Sequence, residues 1–133
     1  MQTYKIAIST MSLAGKIPPG SDLWHRFNAS FVNREIDIFT LGDRIYNGHA
    51  FTTWHKDWRK RDNYICGQHL GLDFDGTYTL DALVKEPFIA SHSALVYTTP
   101  SHTPENPRLR AVFLLDKEIV QPMNYTLAAN ALI

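Results

Sequence analysis

Apolar positions along this chain fall into extended runs that alternate or stay continuously apolar, separated by short stretches with turn or helix character. YKIAIS at 4–9 predicts a first strand. AGKIPPGS at 14–21 follows as a loop, because proline removes a backbone donor and glycine relaxes backbone restrictions. Ser21 or Asp22 is placed to cap a short helix running to about Phe31, with Leu23, Phe27 and Phe31 on one side. Residues 36–39 fit a brief strand, whereas Thr40 can cap a short helix ending near Asn47-Gly48; the pattern leaves both open.

AFTTW at 50–54 has strand propensity and gives way to the polar, basic stretch HKDWRKRD at 55–62. A second long extended region is predicted over 64–75, stopped by Gly76. Thr79 can cap a helix over roughly 80–89. ALVYTT at 94–99 and RLRAVFLL at 108–115, joined by a Pro-rich connection, form the clearest hairpin signal. Gln121-Pro122 introduces a last helix, since proline in a first turn costs little. The expected fold class is α/β (α+β), a mixed or antiparallel sheet with flanking helices, in one domain over 1–133.

Composition narrows the function. Apolar residues make up 44% and charged residues 20% of 133 positions, enough for one domain with a real core. The net charge is zero, which argues against a strongly basic nucleic-acid binder. The cations are nevertheless concentrated in residues 1–66, with nine basic against six acidic groups, so a local basic patch is expected there. No apolar run approaches a membrane span and residues 1–15 lack a signal-peptide pattern, giving the expectation of a cytoplasmic protein with no membrane partner. A single cysteine, Cys66, rules out an internal disulfide or a cysteine metal cluster and is expected as a buried strand thiol.

The chemistry gathers at LGLDFD, 70–75. Side chains two apart on a strand share a face, so Asp73 and Asp75 point into one volume while Phe74 turns to the core. Two like charges that close call for a cation, and carboxylate oxygens suit Mg²⁺ or Mn²⁺ better than zinc. Arg108 and Arg110 are likewise two apart and can clamp phosphate oxygens, or form a solvated face answered by acids. Ser101, His102 and Thr103, just before Pro104, offer hydroxyl and imidazole donors to a phosphate, or tie down a turn. Lys56, Arg59, Lys60 and Arg61, interleaved with Trp54 and Trp58, have the makings of a single-strand nucleic-acid surface. Asp57 and Asp62 dilute that patch, and a basic loop over buried tryptophans is its competitor. His25, His49, His55, His69 and His92 have no assigned chemistry.

Three segments carry a resemblance: GHAF at 48–51, NYICGQHLGLDFD at 63–75 and YTTPSHTPENPRLRAVFLLD at 97–116. Over about 48–120 the chain resembles the archaeo-eukaryotic primase superfamily, in the primase-polymerase domains of phage and plasmid replication proteins. The resemblance implies metal ligation by Asp73 and Asp75, and triphosphate contact by His102 with Arg108 or Arg110 assisting. It further implies dNTP or NTP as ligand, and single-stranded DNA or a primer-template as partner, with a helicase domain or replication factor alongside. A third acidic ligand normally comes from a later strand, and Asp116 is too close to the hairpin to supply it. The chain is therefore expected to be the N-terminal portion of such a domain. GLDFDGTYTL is also similar to the first motif of the haloacid-dehalogenase-like phosphatases, in which Asp73 would be the nucleophile and Asp75 the acid/base. That family's remaining roles call for a later Ser or Thr, a Lys and further metal-binding acids; Lys117 and Asp116 are available in name only, and the 58 residues beyond Asp75 leave little room for its usual sheet. A nucleic-acid-binding or assembly module without catalysis is the reading from a different class.

Overall fold

The two longest strands, β5 (Tyr64–Asp75) and β7 (Arg108–Ile119), lie antiparallel at the centre of the fold. In this computed structural model, described over residues 1–132, the other elements are β1 (Tyr4–Ser12), α1 (Asp22–Asn28), β2 (Phe31–Ile36), α2 (Ile38–Tyr46), β3 (His49–Thr52), β4 (Trp54–His55), α3 (Leu80–Lys85), α4 (Pro87–His92), β6 (Leu95–Thr98) and α5 (Pro122–Ala131). A single 3₁₀ turn at Arg61–Asn63 leads into β5. The strands make two antiparallel sheets, ordered β2-β1-β3 and β4-β5-β7-β6. The chain is thus a mixed α/β fold with antiparallel sheets and flanking helices.

Strand β7 divides the interior because its side chains alternate. Leu109, Ala111 and Phe113 join Leu70, Leu83 and Ile89 in a core beneath α3, α4 and α5, with Leu72 and Phe74 packed against it. Val112 faces the other way, into a second core with Ile6, Ile8, Ile36 and Leu41 that joins the two sheets to α2. The buried Gln68 ties the sheets together. It accepts from Lys5 N–H at 3.0 Å and donates to the carbonyls of Leu115 at 3.0 Å and Asp116 at 3.3 Å. Those carbonyls belong to a bulge, since β7 slips register between the pairs Gly67↔Ile119 and His69↔Leu114.

Helix boundaries depart from the sequence expectation in three places, each with a local cause. Helix α1 stops at Asn28, where the Asn28 side chain donates to Trp24 O and the Ser30 hydroxyl bonds Phe27 O. Phe31 is the first residue of β2, yet still meets Phe27 edge-on at 5.1 Å. Helix α2 is capped by Asp37, which accepts from Thr40 N–H at 2.8 Å, and Ile36 is the last residue of β2. The single helix expected over 80–89 is two helices, because Pro87 forces Glu86 into an extended conformation (φ −63°, ψ 131°). Glu86 then caps the second helix through Ile89 N–H. Cys66 is a buried strand thiol, and burial raises its pKa.

Candidate functional site

Asp73 and Asp75 stand on one face of β5 and are answered in register by β7: Asp73 opposes Arg110 and Asp75 opposes Arg108. Arg108 turns both backbone groups toward the β6 side, its carbonyl to Thr99 N–H and its N–H to His102 Nδ1 at 3.1 Å. Asp75–Arg108, and Asp73–Arg110 two residues on, are therefore the narrow, non-hydrogen-bonded pairs of the ladder, where opposing side chains come closest. Arg110 Nε donates to Asp73 Oδ1 at 2.6 Å and Nη2 to Oδ2 at 3.3 Å. Its Nη1 reaches the Tyr97 hydroxyl at 3.4 Å. The hydrogen bond to Asp73 holds the Arg110 guanidinium above its ordinary pKa, against the opposing effect of burial. Arg108 Nη1 lies 3.3 Å from Asp75 Oδ2, while its buried Nε has no partner.

His102 is connected to this ladder through the backbone. With Nδ1 accepting from Arg108 N–H, the imidazole is the neutral tautomer carrying its proton on Nε2. Its loop is closed by His102 N–H to Thr99 O and by Thr103, whose hydroxyl accepts from Asn106 N–H at 3.0 Å. Ser101 is half-buried beside His102. Gly76, at φ +78°, ends β5 in the left-handed region and donates to Pro107 O at 2.7 Å, closing the same edge.

The basic segment divides in two. Arg59 packs over Trp24, Phe27 and Phe31 at 5.8, 5.7 and 5.6 Å, and donates from Nε to Asn28 Oδ1 at 2.9 Å. Trp54 is also engaged, donating to Arg34 O at 3.0 Å under the Lys5 ammonium. Both side chains hold the loop against the fold. Lys56, Trp58, Lys60 and Arg61 are exposed.

His69 lacks metal-ligand spacing in the sequence, yet the period that pairs Asp73 with Asp75 also brings His69 and Gly71 onto that face. A cleft of about 370 Å³ is lined by His69, Gly71, Asp73, Arg110, Phe51 and Tyr125, among others. His69 is only 6% exposed, its ring edge-on to Phe51 at 5.1 Å, and its Nδ1 has no partner. Burial, assisted by the Arg110 charge, pushes its pKa down to about 4, so the ring is neutral near pH 7. A larger apolar cleft of about 670 Å³, lined by Trp24, Phe27 and Tyr97, meets the first at Phe51 and Arg110.

Chemically, the face can exchange partners. The two carboxylates can take a hard cation, and the two guanidiniums then turn to an anion carrying it. Among the described residues no group of three or more His, Cys, Asp or Glu gathers around one point. A cation on Asp73 and Asp75 would therefore complete its shell with water and ligand oxygens, as Mg²⁺ commonly does. No protein-family model, curated protein or solved structure matches the chain.

Proposed function

We propose that this chain is a metal-dependent nucleotide-binding domain of the primase-polymerase type, serving nucleotidyl transfer in DNA priming or polymerisation. One observation carries the reading. Two carboxylates and two arginines interlock on a single strand-pair face, with the neutral His102 imidazole bonded to the same β7 edge. Asp73 and Asp75 would hold Mg²⁺ or Mn²⁺, and their hard oxygens on one strand face fit such an ion. When bound, the metal supplies charge neutralisation at the α-phosphate and pyrophosphate, and lowers the pKa of an attacking 3′-hydroxyl.

The chain's own residues position the triphosphate. Each side of the ladder finds opposite charge in a metal–triphosphate, so the bound ligand can replace both ion pairs. Asp73 and Asp75 pass to the cation while Arg110 and Arg108 pass to phosphate oxygens. The unpartnered Arg108 Nε–H is a further donor, and His102 Nε2–H is a neutral one. These groups act by orientation and electrostatics, and none is a covalent nucleophile. The antiparallel surroundings of β5 and the Arg110 grip on Asp73 favour this over an aspartyl-phosphate mechanism.

A calorimetric titration with Mn²⁺ and dNTP, comparing the parent chain with D73A/D75A, tests the proposal. Saturable binding lost in the double variant supports it, and equal binding by both proteins overturns it. Single-strand binding without catalysis is the second reading, favoured by the exposed Lys56, Trp58, Lys60 and Arg61. It predicts retention of single-stranded DNA in EDTA.

A further inference from the structure

We propose that the cleft beside His69 receives the uncharged nucleoside end of a nucleotide, with the His69 imidazole as its recognition group. The inference rests on the nucleotide reading above for the class of ligand; the cleft itself supplies the rest. At its mouth the charges of Asp73 and Arg110 cancel in a two-point ion pair. Elsewhere in the lining the Tyr64 hydroxyl donates to Ile119 O at 2.6 Å and the exposed Thr126 hydroxyl to Pro122 O at 3.1 Å, and the exposed Arg61 is the remaining charged group. His69 is a buried neutral ring whose Nδ1 has no partner. Buried polar side chains without a partner are rare; Nδ1 is the closed side of this ring, and Nε2, unbonded within the protein and not sealed off, is the atom a ligand in the cleft can meet.

The surroundings fix the chemistry. Phe51 and Tyr125 flank the imidazole with ring centroids at 5.1 and 6.4 Å, giving this end of the cleft apolar walls suited to flat, uncharged matter. Gly71 leaves the floor open between His69 and Asp73; a Cβ there would stand 3.7 Å from Arg110 Cδ, an ordinary contact. Four residues of strand separate His69 from Asp73, about 13 Å at the usual rise per residue. That is the length scale of a nucleotide from its phosphates to the far edge of its base. The volume lies within the range of small-molecule sites.

The test uses the wild-type chain in EDTA with deoxycytidine and deoxyadenosine, which carry no phosphate, followed by NMR. Saturable shifts of the His69 imidazole and the Gly71 amide are expected. Gly71→Val, which fills the floor without altering any charge, abolishes them while its spectrum stays dispersed. Shifts confined to the Trp24 indole in the neighbouring apolar cleft overturn the proposal, as does the absence of any saturable shift. Because neither metal nor phosphate is present, such a failure is separate from the metal–triphosphate reading, which falls only if D73A/D75A leaves Mn²⁺–dNTP binding intact.

Discussion

Arg110 holds the Asp73 carboxylate from two nitrogens across a narrow pair of the β5–β7 ladder, Nε to Oδ1 at 2.6 Å and Nη2 to Oδ2 at 3.3 Å. Both side chains are partly open, at 39% and 53%, so solvent screening discounts the pair's contribution to folding. Arg110→Gln should lower stability by only about 1 kcal/mol in denaturant unfolding. If Arg110 turns to the triphosphate, the same variant weakens dNTP binding by about tenfold or more, as charge-assisted contacts to phosphate do. Parallel unfolding and binding curves separate the two roles.

His102→Ala removes the acceptor for Arg108 N–H and should cost about 1 kcal/mol in unfolding. His102→Asn offers an amide that can accept from that N–H and donate outward, and should recover part of both stability and nucleotide binding. Equal loss in the two variants would count against a donor role for Nε2.

Acid should destabilise the chain through His69. Its folded pKa is about 4, below the unfolded value of 6.5, so the unfolded state binds the extra proton between those values. The contribution is fully present above pH 6.5 and is lost as pH falls toward 4, on the order of 3 kcal/mol over that window. His69→Phe should flatten the slope of unfolding free energy against pH, whatever its effect on absolute stability.

The basic segment should split by role. Arg59→Ala loses the Asn28 bond and the contact with three aromatic rings, and should destabilise by about 1–2 kcal/mol. Replacing Lys56, Lys60 and Arg61 together by Ala should leave unfolding nearly unchanged and, if the chain takes up single-stranded DNA as the second reading proposes, reduce the salt dependence of that binding. Fluorescence anisotropy at two salt concentrations reads the second effect.

Gly67→Ala places a Cβ 2.8 Å from Thr53 Cγ2 and 2.9 Å from the Tyr125 ring, so that Thr53 and a ring packed edge-on to Tyr64 and His69 must shift. A loss of about 1–3 kcal/mol is expected in thermal unfolding, as overpacking usually gives.

Much of this architecture is written in local signals. The apolar run and terminal glycine locate β5 at 64–75, and Thr79 and Gln121-Pro122 mark their helices where they occur. Pro87 carried a readable signal that outweighs the helical pattern around it, and it accounts for the break between α3 and α4. Both Asp and Arg doublets are visible as period-two pairs. Their partnership is not, because register depends on the connection over 99–107 and on the bulge near Gln68. Arg59 reads as a surface cation until α1 supplies its aromatic bed, a contact between segments far apart in sequence. His69 was within reach of the same alternation that selects Asp73, but metal spacing alone gave no reason to choose it.

The most direct measurement of the central claim is site-resolved broadening of amide NMR signals by substoichiometric Mn²⁺ in the presence of dNTP. The resonances of Asp73, Asp75, Arg108 and Arg110 should broaden first, followed by His102, and D73A/D75A should remove the effect. Broadening centred on another acidic group, such as Glu35 or Asp116, with the β5–β7 face untouched, would contradict it.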